Sequence, residues 1–147
     1  MTQLRETRLV AVPIEEAFDY TADFANIENW DPGVAASARV GNGPVGLGSI
    51  FDLMVVFGSK QTPMRYEITE YDPPNRVVLS GSGQRITAVD DIRFRSVEGG
   101  TQIDYTADLE FSGVMRAVAP LLGGVLRKVG TKALDGLEVE LGKLTVA

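Results

Sequence analysis

Residues 115–144 carry an apolar stripe that fixes the plan of the chain. Val118, Leu122, Val125, Val129, Ala133, Leu137, Leu141 and Leu144 recur in steps of three or four, the period of one helix face. The charges Arg116, Arg127, Lys128, Lys132, Asp135, Glu138, Glu140 and Lys143 fall mostly off that stripe. The spacing predicts a helix over residues 120–144, about 37 Å long at 1.5 Å per residue. Almost everything between Ala35 and Phe111 alternates like strand. One long helix must therefore lie across one sheet, and what lies between them decides the function. Gly123, Gly124, Gly130, Gly136 and Gly142 interrupt the helix, each at a cost of about 1 kcal/mol relative to Ala in a helix interior. Two readings stay open. The glycines let the helix approach its neighbours closely, or Gly123–Gly124 is a soft segment that moves to admit a ligand.

A length of 147 residues suits one domain, which buries roughly two thirds of its unfolded surface. Residues 117–126, the longest uncharged run near the C-terminus, are about half the ~20 residues a membrane span needs. Residues 1–8 carry Arg5, Glu6 and Arg8 and are not expected to be a signal peptide. The net charge is −6 and the basic residues are scattered, so nucleic acid and anionic membrane are disfavoured as partners. There is no cysteine, which fits a reducing cytoplasm and excludes thiol chemistry. There is no histidine either. Without His or Cys there is no Ser–His–Asp triad, no Cys–His dyad and no ordinary zinc site. Acid–base chemistry falls to carboxylates, tyrosines or lysines with shifted pKa values. No metal or cofactor is implied.

In chain order, residues 3–12 read as a first strand, and Pro13 opens a short helix over residues 14–20. Asp23 is a plausible cap for a second short helix over residues 24–29, which Trp30-Asp31-Pro32-Gly33 ends. Strands follow at residues 34–40, 49–57, 61–71, 76–80, 85–97 and 101–111, separated by short Gly- or Pro-rich turns. Such a meander implies an antiparallel sheet. Residues 41–46 match G-x-G-x-x-G, but a dinucleotide fingerprint must open a helix. Here a strand with alternating Phe51, Leu53, Val55 and Phe57 follows, so the glycines are assigned to a hairpin loop.

Several of these segments, in this order, resemble a known family. They are Val12-Pro13-Ile14-Glu15-Glu16-Ala17-Phe18, Asn29-Trp30-Asp31-Pro32-Gly33, Gly46-Leu47-Gly48-Ser49 and the run from Tyr66 to Pro74. Asp90-Asp91-Ile92-Arg93-Phe94 and Gly100-Thr101-Gln102-Ile103-Asp104-Tyr105 match as well. The chain resembles the polyketide cyclase/dehydrase and lipid-transport group of the START and birch-pollen-allergen-like (SRPBCC) superfamily over essentially its whole length. That resemblance implies an α+β helix-grip fold. A curved seven-stranded antiparallel sheet would wrap the C-terminal helix, with an apolar cavity between them, in a single ligand-binding domain spanning residues 1–147.

Alternation assigns the cavity side chains. Ile103, Tyr105, Ala107, Leu109 and Phe111 share one face, as do Ala88, Asp90, Ile92 and Phe94. Met64, Tyr66 and Ile68, then Phe51, Leu53 and Val55, then Val77 and Leu79, complete the inward set. The expected ligand-binding residues are Trp30, Phe51, Leu53, Tyr66, Ile68, Leu79, Ala88, Asp90, Ile92, Tyr105, Ala107, Leu122 and Val125. Asp90 is the candidate acid/base or ligand anchor, since a carboxylate among apolar groups needs a partner, and Tyr66 or Tyr105 would supply one. The structural reading, an Asp bonded to a tyrosine or to backbone amides near a bulge or helix end, stays open beside it. Three functions follow as alternatives: a binder or carrier of a small hydrophobic molecule, a cyclase or dehydratase, and a protein-interaction module whose cavity has filled with side chains. Monomer and homodimer both stay open.

Overall fold

A computed structural model describes residues 2–144, apart from the side chains of Val114 and Met115. Seven strands form one antiparallel sheet: β1 (Thr2–Val10), β2 (Val34–Val40), β3 (Ile50–Phe57), β4 (Lys60–Asp72), β5 (Arg76–Gly83), β6 (Ile86–Val97) and β7 (Gly100–Phe111). Their order across the sheet is β1-β7-β6-β5-β4-β3-β2. The meander thus pairs neighbours in sequence, and β1 closes beside β7. Helix α1 (Ile14–Ala22) follows β1. Glu15 and Glu16 sit in its first turn, where the helix dipole favours negative charge. The expected second helix is instead a 3-10 turn (Phe24–Asn26) followed by α2 (Ile27–Trp30). Asp23 caps that 3-10 turn, its carboxylate accepting from the Ala25 amide at 3.1 Å.

The long helix also starts later than its stripe suggests. A short α3 (Val114–Val118) and a 3-10 turn (Ala119–Leu122) precede α4 (Gly123–Lys143). Pro120 lies in that 3-10 turn, where its missing N–H leaves no α-helical bond broken. The face is corrected too. Leu126, Ala133, Leu134, Leu137 and Leu141 are buried, whereas Val125, Val129 and Leu144 are exposed. The spacing supports either neighbouring stripe, and contact with the sheet selects the one holding Leu126 and Leu134.

Of the five helical glycines, Gly136 makes the closest approach. A methyl at that position would stand 1.9 Å from the Trp30 carbonyl oxygen, so α4 rests directly on the backbone of α2. At Gly130 the nearest group is the Leu4 side chain of β1, at 3.7 Å. Gly123 and Gly124 meet only the Arg127 guanidinium, at 3.6 and 4.0 Å. Beside this contact, Arg8 of β1 bonds Asp135 at 2.6 Å and Glu138 at 2.9 Å, tying the helix to the sheet edge.

Strand phase holds as expected. Phe51, Leu53, Met64, Tyr66, Ile68, Val77, Leu79, Ala88, Asp90, Ile92, Phe94, Ile103, Tyr105 and Phe111 are all buried. Val78 is buried as well, beside a register shift between Ile68 and Glu70 where β4 pairs with β5. The opposite face is ionic. Arg65 forks onto Asp52, and Arg76 onto Asp91, with Arg93 on Asp91 at 3.4 Å. Residues 41–49 form a loop with Gly41, Gly43 and Gly48 at positive φ, and it leads into a strand, as the hairpin reading requires.

Candidate functional site

The polar centre predicted inside the sheet exists. The Tyr105 hydroxyl donates to Asp90 Oδ2 at 2.5 Å, and both groups are buried. Of the two tyrosines expected as partners, Tyr105 is the donor. Their proximity follows from register: Ile92 pairs with Tyr105, and Asp90 pairs with Ala107, so Tyr105 and Asp90 are diagonal neighbours on one face. Burial pushes the Asp90 carboxyl up to about 7, the Tyr105 hydrogen bond opposes this, and the charges of Asp31 and Asp108 add to it. Burial likewise holds the Tyr105 and Tyr66 phenols well above their ordinary range, with Asp90 the next contributor to each. Asp91, on the outward face, is held below the usual carboxylate range by Arg76.

Rings fill the space around this pair. Phe24 packs edge-on to Tyr66 at 5.4 Å and to Trp30 at 6.5 Å, and against Phe51 at 6.2 Å. Trp30 meets Tyr105 edge-on at 6.2 Å. The Tyr66 ring lies against Gly81, where a methyl would come within 2.5 Å of it. Trp30 Nε1 is buried without a hydrogen-bond partner among the described residues. Trp30, Phe51, Leu53, Tyr66, Ile68, Leu79, Ala88, Ile92 and Tyr105 all belong to one core cluster, and Ala107 packs against it half-buried.

Open space lies elsewhere, at the end of the sheet where β3 turns into β4 and β5 into β6. A cavity of 710 Å³ is walled by Leu122, Val125, Leu126 and Val129 on one side. Val55, Phe57, Ile86 and Phe111 wall the other, with Asp31, Lys60, Thr62, Gln84 and Arg85 as polar members. A second cavity of 540 Å³ shares Arg85, Ile86 and Phe111 with it and adds Arg116 and Glu110. Of the thirteen expected ligand contacts, only Leu122 and Val125 line the larger cavity, and neither cavity reaches the Asp90–Tyr105 pair.

Sequence reasoning missed Asp31, Lys60 and Arg85 because all three sit at turns, where alternation gives no direction. Asp31 was legible only as the stop of a helix. Its Oδ1 accepts from the Gly33 amide at 2.7 Å, a local turn that fixes the side chain. Burial pushes the Asp31 carboxyl up to about 6 against that hydrogen bond.

The profile of the family described as polyketide cyclase/dehydrase and lipid transport matches residues 1–142. No curated protein matches the chain. Among solved structures, TTHA0849 from Thermus thermophilus is 16% identical, with 95% of this chain and 96% of that one covered and a TM-score of 0.77. The Zhui aromatase/cyclase from Streptomyces sp. R1128 is 14% identical, with 95% and 92% covered and a TM-score of 0.73. Ara h 8.0201 is 17% identical, with 95% and 96% covered and a TM-score of 0.67. At these identities the structures speak for the fold alone. The profile match, which takes in almost all of the sequence, places the chain in the polyketide cyclase/dehydrase and lipid-transport family.

Proposed function

We propose that the protein binds a small hydrophobic molecule in the 710 Å³ cavity between the first turns of α4 and the β3–β4 end of the sheet. The observation that carries this reading is the convergence of apolar side chains from helix and sheet on one open space. Its size falls within the range of about 300–1,000 Å³ usual for small-molecule sites. The ligand occupies the end of the grip beside the buried aromatic cluster. No helix among the described residues is long and apolar enough to cross a membrane. The cysteine-free sequence supports a cytoplasmic location.

The neutral dye N-phenyl-1-naphthylamine tests the site. It is expected to brighten on binding the parent. Val125 is 59% exposed, so Val125→Arg leaves the melting temperature unchanged while weakening the dye by at least about tenfold, because a charge now borders apolar surface. Undiminished binding by the variant refutes this cavity as the site.

Asp31 favours a second reading, catalysis of the cyclase or dehydratase type. A carboxyl on the cavity wall raised to about 6 is suited to proton transfer near neutral pH. On that reading Asp31→Asn abolishes turnover of a bound polyketide-like substrate and leaves dye binding intact. Retained turnover removes it.

A further inference from the structure

We propose that the ligand is an anionic amphiphile, with a carboxylate held by Lys60 and Arg85 and an apolar chain running between α4 and β3 toward Asp31. This rests on the binding function proposed for the same cavity.

The charges of the cavity are segregated. Lys60 opens β4 and Arg85 lies in the β5–β6 turn, at the same end of neighbouring strands, since Met64 pairs with Gly83. Asp31 precedes β2 at the far side. From the β5–β6 turn to β2 the order crosses up to four strand spacings, about 19 Å, and from Lys60 on β4 it crosses two, about 10 Å, at about 4.8 Å each. Arg85 thus lies at the side farthest from Asp31 with Lys60 between them, so an acidic head group is repelled from Asp31 toward the two cations.

Both cations are also available. Arg8, Arg65, Arg76 and Arg93 are each within 3.4 Å of a carboxylate. Lys60 and Arg85 form no ion pair and no side-chain hydrogen bond among the described residues, yet both line the cavity. Backbone geometry singles out Arg85 independently. It is the only non-glycine with positive φ among the described residues, at 67°. Asn or Gly would fill that turn position with less strain. The residue present instead brings a guanidinium to the wall that the two cavities share. Strain of this kind, held by its surroundings, clusters at ligand clamps. Here the Ser112 amide donates to the Arg85 carbonyl at 3.0 Å and holds the turn.

Competition against N-phenyl-1-naphthylamine by dodecanoate and by dodecanol, at pH 8 and low salt, tests this. Dodecanoate is expected to compete about tenfold better than dodecanol, as a pair of charge-assisted contacts would give, and to lose that margin at high salt. Lys60→Gln with Arg85→Gln is expected to abolish the preference and leave dodecanol unchanged. Arg85→Asn, which suits the turn, is expected to lower the preference on its own while holding or raising the melting temperature. Equal competition by the two probes in the parent, or an unchanged preference in the variants, overturns the proposal while the binding function stands. Failure of dye and both probes to bind overturns both.

Discussion

Replacing Asp90 with Asn turns the buried carboxyl into a measurable dependence of stability on pH. The folded pKa of about 7 lies above the ordinary aspartate value of 3.8. Between those values the native chain holds a proton that the unfolded chain releases. Stability is therefore full at low pH and falls as pH rises toward 7. A difference of about three pH units corresponds to about 4 kcal/mol lost above the folded pKa. Asp90→Asn keeps the shape, still accepts from Tyr105, and cannot ionise. The strength of the Tyr105 bond to the charged carboxylate is already contained in the folded pKa, which that bond lowers. The two proteins should be equally stable below about pH 4, where Asp90 is neutral in both states, and the variant should exceed the parent by about 1–2 kcal/mol near pH 5 and by about 4 kcal/mol near pH 8.5. Urea unfolding of both proteins from pH 5 to pH 9 measures the difference directly. Asp31, raised to about 6 with the same sign, remains in both and cancels apart from its repulsion with Asp90. Asp90→Leu serves as control. It leaves the Tyr105 hydroxyl without an acceptor and should cost about 1–3 kcal/mol where Asp90 is already neutral. A stability difference between parent and Asp90→Asn that stays flat across the range refutes the reasoning. It would mean that Asp90 is ionised throughout, held charged by its hydrogen bond.

The helical glycines separate by the space around them. Gly136→Ala forces a methyl against the Trp30 carbonyl and should lower stability by about 3 kcal/mol or unfold the chain; an unchanged melting temperature would show that α2 and α4 part freely. Gly123→Ala with Gly124→Ala meets only a flexible guanidinium and should raise stability, by at most about 1 kcal/mol per site. Stopped-flow dye binding to that pair tests the soft-segment idea, with slower entry expected and equal on-rates counting against it.

Strand phase was legible because the period of two leaves no alternative once one face is apolar. Tyr66, Asp90 and Tyr105 were all placed inward from alternation, and all three are buried. The helix face was less determined. Leu126 and Leu134 lie one residue from Val125 and Ala133, and glycines at 123, 124, 130 and 136 contribute nothing to either stripe. The cavity was the least legible part. Whether Phe24, Phe51, Tyr66 and Trp30 line a void or fill it depends on their packing in three dimensions, where Phe24 stands 5.4–6.5 Å from the other three rings. Lys60 and Arg85 share a cavity with Val125 because β4 begins and β5 ends at the side where α4 starts.

The seat of Gly136 on the Trp30 carbonyl gives α4 a pivot about two thirds of the way along its length. Its ties to Asp135 and Glu138 lie beside that point, while Val125 stands eleven residues away, about 17 Å along the axis. A tilt of about 5° at the pivot carries Val125 through about 1.4 Å over that arm, close to the radius of a water molecule. Small changes of fit at Gly136, a contact that no ligand touches, would thus be magnified where a ligand would pass.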